Sequence, residues 1–211
     1  MTDGWLRTTE EWDKRVSYAV WRWYQDKIGR NVPLRVLEWT GHGVVWYLCV
    51  LAGFFLVKDA RPGFYALMGN LFVGLSTDLL IVVIIKPLAR RKRPHYNPGK
   101  TELSLQSVDK FSFPSGHATR CAMVTGLVLH GYLVYKIPSE ALVWATILWA
   151  ITVMESRVML GRHHVLDIVG GSLLGSLNAV FVSRFLSLNA SSAPALRDQL
   201  LAIAIRTFLR K

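Results

Sequence analysis

Three short polar stretches hold almost every side chain able to do chemistry. The first runs from Lys86 to Arg93-Pro94, the second is Pro114-Ser115-Gly116-His117, and the third contains Ser156-Arg157, His163-His164 and Asp167. Taken singly, each has an ordinary explanation. Basic residues after an apolar helix commonly anchor topology, a Gly-His pair at a helix start is unremarkable punctuation, and a lone His at a helix end is more often structural. Taken together they meet the needs of phosphoryl transfer: charge around the phosphate oxygens, an in-line nucleophile and an acid for the leaving oxygen. Lys86, Arg93 and Arg157 supply cations, the arginines with bidentate geometry. Ser115 and the Gly116 amide stand at a helix N-terminus, where unpaired N–H groups and the positive dipole end favour phosphate. His163 and Asp167 are four apart and share a helical face, so the carboxylate fixes one imidazole nitrogen and frees the other to attack. His164 lacks that spacing and is expected to point elsewhere. His117 is the expected proton donor.

These stretches need elements to hold them. Five apolar runs, at about 41–57, 63–85, 118–135, 141–154 and 165–186, are expected to cross a membrane, where a span takes roughly 20 residues. The second and fifth qualify easily. The first and third are marginal, and the fourth is short by itself, lying between Glu140 and Glu155. Gly170, Gly171 and Gly175 include a small-xxx-small pattern that permits close helix approach. Residues 8 to 30 read as an amphipathic helix opened by a Thr8/Glu11 capping box, with Trp12, Val16, Val20, Trp23 and Ile28 at helical spacing. After Pro194, Leu196, Leu200, Ile203 and Phe208 with Arg197, Arg206 and Arg210 suggest a second surface-lying helix. Asp78, inside an apolar run, is expected to pair with Arg120 or to orient a phosphate-binding arginine.

Composition limits the alternatives. Among 211 residues 52% are hydrophobic, yet the formal net charge is +11. A membrane protein separates the two, with apolar helices in lipid and Lys/Arg at the rims. Nucleic-acid binding is the usual rival for a basic chain, but no recognised module is present. Cys49 and Cys121 both sit in apolar runs, which argues against a disulfide framework. Residues 1–11 show no apolar core of a cleavable leader, so insertion is expected to rely on internal helices. No Asp/Glu or Cys/His cluster has magnesium or zinc spacing, and no cofactor or metal is expected.

The three stretches resemble the tripartite signature of the type-2 phosphatidic acid phosphatase superfamily: Lys-x6-Arg-Pro, Pro-Ser-Gly-His and Ser-Arg-x5-His-x3-Asp. The chain matches each specified position, at Lys86, Arg93, Pro94, Pro114, Ser115, Gly116, His117, Ser156, Arg157, His163 and Asp167. The resemblance implies an all-α fold with a core like that of vanadate-dependent haloperoxidases, and with the apolar runs above the expectation is a multi-pass transmembrane bundle of about five membrane helices with amphipathic terminal helices. It also implies a phosphohistidine on His163, with Asp167 orienting it and His117 as acid/base. Wider stretches, over about residues 36 to 180, resemble the polyisoprenoid (presqualene) diphosphate phosphatase branch. They are Gly41-His42-Gly43, Asp78, Ser107 through Arg120, and Ser156 through His163. Glu155 departs from that pattern, where a small or apolar residue is expected.

The expected organisation is a single unit: an interfacial region 1–40, a membrane phosphatase core 41–190 and a basic tail 191–211. If the runs cross as counted, both polar segments and the N-terminus share one side, with 16 Lys/Arg against 8 opposite. The positive-inside tendency then puts the active site in the cytoplasm, and the expected membrane is the endoplasmic reticulum or nuclear envelope. The expected partners are a lipid phosphate and the bilayer, without nucleic acid; oligomeric state is open. A phosphatase for phosphatidate, sphingosine phosphate or undecaprenyl diphosphate, a catalytically silent scaffold and a haloperoxidase are the remaining readings.

Overall fold

A computed structural model describes residues 2–28, 32–97 and 110–209. Ser107, Val108, Asp109, Arg210 and Lys211, and the side chain of Phe208, lie outside the described residues. The architecture is all-helical: α1 (Thr2–Lys27), α2 (Val32–Thr40), α3 (Gly43–Leu56), α4 (Pro62–Ala89), α5 (Gly116–Tyr135), α6 (Glu140–Met159), α7 (Val165–Phe181) and α8 (Ala193–Leu209). A π-helical turn, Val182–Leu186, extends α7.

α4, α6 and α7 with its extension are long and apolar enough to cross a bilayer, and Leu34–Thr40 with Gly43–Leu56, bent by 50° at their junction, is so only when the pair is taken together. The fifth expected run is α5, 20 residues long but less apolar than these. Its first turns carry His117, Thr119 and Arg120, and it packs against α4, α6 and α7. A helix covered by neighbours can keep polar groups that a lipid-facing helix cannot. α6 exceeds the expected 141–154 because the helix continues through Glu155, Ser156 and Arg157; Glu155 is exposed and turned away from the buried pair beside it.

α3 to α7 alternate in direction, so the C-terminal ends of α4 and α6 and the N-terminal ends of α5 and α7 meet at one end of the bundle. The core beneath is formed by Leu67, Leu71, Leu75, Met123, Val124, Leu127, Ala179 and Val182. The glycines of α7 set the α5–α7 distance. A Cβ at Gly175 would run into the carbonyl of Thr119, and one at Gly171 would lie 2.9 Å from the Ser115 oxygen. The small-xxx-small pattern therefore seats α7 directly on the turn that carries Ser115.

Two terminal elements differ from the sequence reading. α1 starts at Thr2, so Thr8 and Glu11 lie within a running helix rather than opening one. Its tryptophans face outward, Trp12 and Trp23 each being 54% exposed, whereas Asp13 and Ser17 are fully buried. The helix docks by an edge that buries these two polar residues together with Tyr24. α8 begins at Ala193, with Pro194 at its start as expected, and Arg197 ties it to α3 by donating to the carbonyls of Phe54 (3.1 Å) and Phe55 (3.3 Å).

Candidate active site

The site is assembled from helix ends and the loops that join them. Lys86 lies in the last turn of α4, 4% exposed. One turn earlier, Val82 comes within 3.7 Å of where a Gly116 Cβ would stand, so Lys86 ends α4 level with the α5 N-terminus. Ser115 is the N-cap of α5; its Oγ accepts from the Ala118 amide at 3.4 Å. Its own N–H donates to the carbonyl of Asp167 at 3.1 Å, joining the second and third motifs through the backbone. On the far side, the His163 amide donates to the Arg157 carbonyl (3.2 Å). Arg93 Nη1 donates to the Arg162 carbonyl (3.0 Å), bringing the first motif beside the third.

Asp167 joins these parts. Its Oδ2 accepts from the His164 amide at 2.8 Å and faces His163 Nδ1 at 3.7 Å and His164 Nδ1 at 3.4 Å. The expectation that His164 points elsewhere is corrected here. His164 is the N-cap of α7, and the cap geometry places its ring over the N3 carboxylate. The guanidinium charges of Arg93 and Arg157 bear on His163, whereas His164 is held at the α7 N-cap with its amide on Asp167. Burial pushes the His163 pKa down to about 3, against the pull of Asp167, so the ring is neutral at physiological pH. With Nδ1 toward the carboxylate, the proton sits there and Nε2 keeps a free lone pair. The 3.7 Å separation is longer than a hydrogen bond, as catalytic contacts often are before substrate binds.

His117 stands opposite. Its Nε2 is 3.0 Å from the carbonyl of Glu38. A carbonyl only accepts, so Nε2 carries the proton and Nδ1 is the nitrogen that exchanges one. The ring is boxed in by Gly41, where a Cβ would come within 2.6 Å of His117 Cδ2. This is the physical content of Gly41-His42-Gly43: Gly41 makes room for His117, His42 caps α3 with Nδ1 accepting from Val44 N–H (3.3 Å), and Gly43 lies under Arg120. Arg120 ion-pairs with buried Asp78 at 3.3 Å and donates to the Gly41 carbonyl at 2.9 Å. Asp78 therefore takes the ion-pair role rather than reaching the motif arginines.

Three site residues escaped the sequence reading. Glu38 of α2 pairs with Arg157 Nη1 at 2.9 Å and lies 3.8 Å from Arg162 Nε; Arg157 is 4% exposed, and among the described residues its Nε has no hydrogen-bond partner. A buried guanidinium with a spare donor suits an oxyanion. Arg91, hidden in a basic run, donates from Nη1 to Asp167 Oδ1 at 2.6 Å. Asp13 of α1 takes the other end of Arg91. No spacing rule links residues 13, 38 and 91 to the motifs, because tertiary packing alone unites them. Among the described residues no group of three or more His, Cys, Asp or Glu is placed to hold a metal ion. A hollow at the opposite end of the bundle, lined by Arg61, Phe64, Lys136 and Ile137, contains none of the motif residues.

Comparison with known proteins bears on the family and the fold. The family profile described as the PAP2 superfamily matches residues 64–190. A probable lipid phosphate phosphatase beta of Arabidopsis thaliana is 34% identical over 135 residues, 54% of this chain and 63% of the plant protein. The chain thus spans less than two thirds of that relative's length. A decaprenylphosphoryl-5-phosphoribose phosphatase of Mycobacterium tuberculosis is 29% identical over 72% of this chain and 77% of its own. The crystal structure of a transmembrane PAP2-type phosphatidylglycerolphosphate phosphatase from Bacillus subtilis superposes with a TM-score of 0.66 at 25% identity. That match covers 84% of this chain and 86% of the bacterial one.

Proposed function

The chain belongs to the PAP2 superfamily, and from that premise we propose that it is an integral-membrane lipid phosphate phosphohydrolase working through a phosphohistidine. The observation that carries the reading is the meeting of His163, backed by Asp167, with Arg93, Arg157 and the Ser115 cap at one end of the bundle. In the proposed reaction Arg157, Arg93, Lys86, Ser115 and the Gly116 amide hold the phosphate. Nε2 of His163 attacks the terminal phosphorus, its P–O bond to the lipid monophosphate breaks, and His117, protonated on both nitrogens in the substrate complex, gives its Nδ1 proton to the departing oxygen. Water then attacks the phosphohistidine, His117 takes a proton back, and inorganic phosphate leaves. Asp167 stabilises the positive charge that the His163 ring acquires.

The proposed substrates are polyisoprenoid diphosphates: farnesyl, geranylgeranyl or presqualene diphosphate. The wider resemblance over residues 36–180 supports this choice, as does a mycobacterial relative named for a decaprenyl lipid. The cation-rich catalytic end is proposed to face the cytoplasm, since without Lys86, Arg93 and Arg157 that side still has 13 Lys/Arg against 8.

The test is phosphate release by purified protein and by His163→Ala, in EDTA. The panel contains the three isoprenoid diphosphates, phosphatidate, sphingosine phosphate, phosphatidylglycerophosphate and undecaprenyl diphosphate. Fastest turnover of an isoprenoid diphosphate, abolished in His163→Ala, is expected. Preference for a glycerolipid would overturn the substrate, and loss of all turnover on chelation would overturn the metal-free mechanism.

A further inference from the structure

α1 does more than lie against the bundle. Asp13, which is fully buried, receives three donors at its carboxylate: Arg91 Nη2, the Leu166 amide at 3.0 Å and the Ser17 hydroxyl at 3.3 Å. Ser17 in turn accepts from the Val165 amide at 2.9 Å. Two side chains of α1 thereby satisfy the first free N–H groups of α7, the helix that begins beside His163 and carries Asp167. Arg91 spans the two carboxylates, with one nitrogen on Asp13 and the other on Asp167 Oδ1. Aromatic contacts hold the same face of α1 in place: Tyr18 stacks on His95 and Trp21 on Tyr96.

We infer that Asp13 is a positioning residue for the phosphoryl-transfer site, acting through Arg91 on Asp167 and so on the His163 ring. The inference rests on the reading of His163 as nucleophile. One oxygen of Asp167 faces the histidine and the other is held by Arg91, so the rotation of the carboxylate depends on where Arg91 sits. Asp13 fixes that place. It also shares the guanidinium charge. Without the Asp13 charge, Arg91 is drawn wholly to Asp167, whose electron density is then less available to the imidazolium that forms during attack. Ser112 completes the support, its single hydroxyl proton facing the Arg91 and Lys92 carbonyls, with Oγ 3.2 and 3.0 Å from them and 3.5 Å from Asp167 Oδ1. α1 is therefore a working part of the site, even though it lies outside all three motifs.

The experiment is a kinetic cycle on the full chain in detergent with an isoprenoid diphosphate: wild type, Asp13→Asn, Asp167→Asn and the double variant. Asp13→Asn keeps the shape of the carboxylate and is expected to lower kcat by about 10- to 100-fold, the usual cost of losing a group that orients a histidine's partner, with KM changed less than threefold. In the Asp167→Asn background, the same change is expected to cost less than twofold, because the residue through which Asp13 acts has gone. An equal factor in both backgrounds, or a rise in KM that accounts for the loss, would reduce Asp13 to a structural dock and overturn the inference. If Asp13→Asn is too unstable to assay, Asp13→Glu, whose longer side chain keeps the charge, is expected to retain at least ten times the kcat of Asp13→Ala. Equal rates for those two would count against the relay. Wild-type turnover without the background dependence would defeat the relay alone, whereas an inactive wild type would defeat the phosphatase reading as well.

Discussion

Gly41→Ala is the substitution whose outcome follows most directly from the packing around His117. The added methyl would stand 2.6 Å from His117 Cδ2 and 2.9 Å from Val153 Cγ1. Carbon atoms in contact prefer about 3.5–4.0 Å, so something must move by about 1 Å. Val153 is fully buried in the cluster with Cys121 and Ala150, so it yields little, and the imidazole is left to move. Its 3.0 Å contact with the Glu38 carbonyl then stretches or breaks. Overpacking of this kind costs about 1–3 kcal/mol of stability, and misplacing a reacting group by about 1 Å costs about 100-fold in rate. Gly126→Ala provides the comparison, since its Cβ meets the Ala179 Cβ at 2.6 Å on the α5–α7 seam, away from the motif residues. Both variants are expected to melt below wild type, and only Gly41→Ala to lose about two orders of magnitude in kcat on an isoprenoid diphosphate. If Gly41→Ala keeps kcat within threefold of wild type, His117 is not positioned as described and its role as acid fails with it.

Two further outcomes follow from charge. His163 has a pKa of about 3 when folded and about 6.5 when unfolded, so below pH 6.5 the unfolded chain takes up a proton that the folded chain refuses. Stability must fall as pH drops through that window, by about 1.4 kcal/mol at pH 5.5 from this group. Thermal melts at pH 7.5 and 5.5 should show a smaller loss in His163→Gln, and an identical loss would refute the assignment. Glu38 shares Arg157 with any incoming phosphate. Glu38→Gln is therefore expected to bind inorganic phosphate about tenfold more tightly, the equivalent of one charge-assisted hydrogen bond, read as a lower inhibition constant; weaker binding would show that Glu38 supports the cradle instead.

The candidate site was legible in the sequence because phosphoryl transfer calls for particular residue types at short spacing: Ser115 and Gly116 at a cap, and His163 four residues before Asp167, although His163 stands ahead of the α7 N-cap rather than on the helix. The long apolar runs announced α4 and α7, and an intramembrane carboxylate announced the Asp78–Arg120 pair. What escaped depends on contacts between distant segments. α1 looked like a surface helix because its exposed tryptophans dominate the pattern, whereas the buried edge carries Asp13 and Ser17 together with Tyr24, and the first two read as solvated until a partner is known. Arg91 was one cation in a basic run, and Glu38 one acid in a mixed stretch. His164 was misjudged for a local reason: i, i+4 spacing presumes both residues are inside the helix, and a residue at the N-cap reaches N3 just as well.

The central claim is a covalent phosphate on one imidazole. Protein quenched in alkali during turnover of an isoprenoid diphosphate, then digested and sequenced by mass spectrometry, should carry phosphate on His163 in wild type and in His164→Ala, and none in His163→Ala. Phosphate found on His164, or full turnover by His163→Ala, would contradict the account.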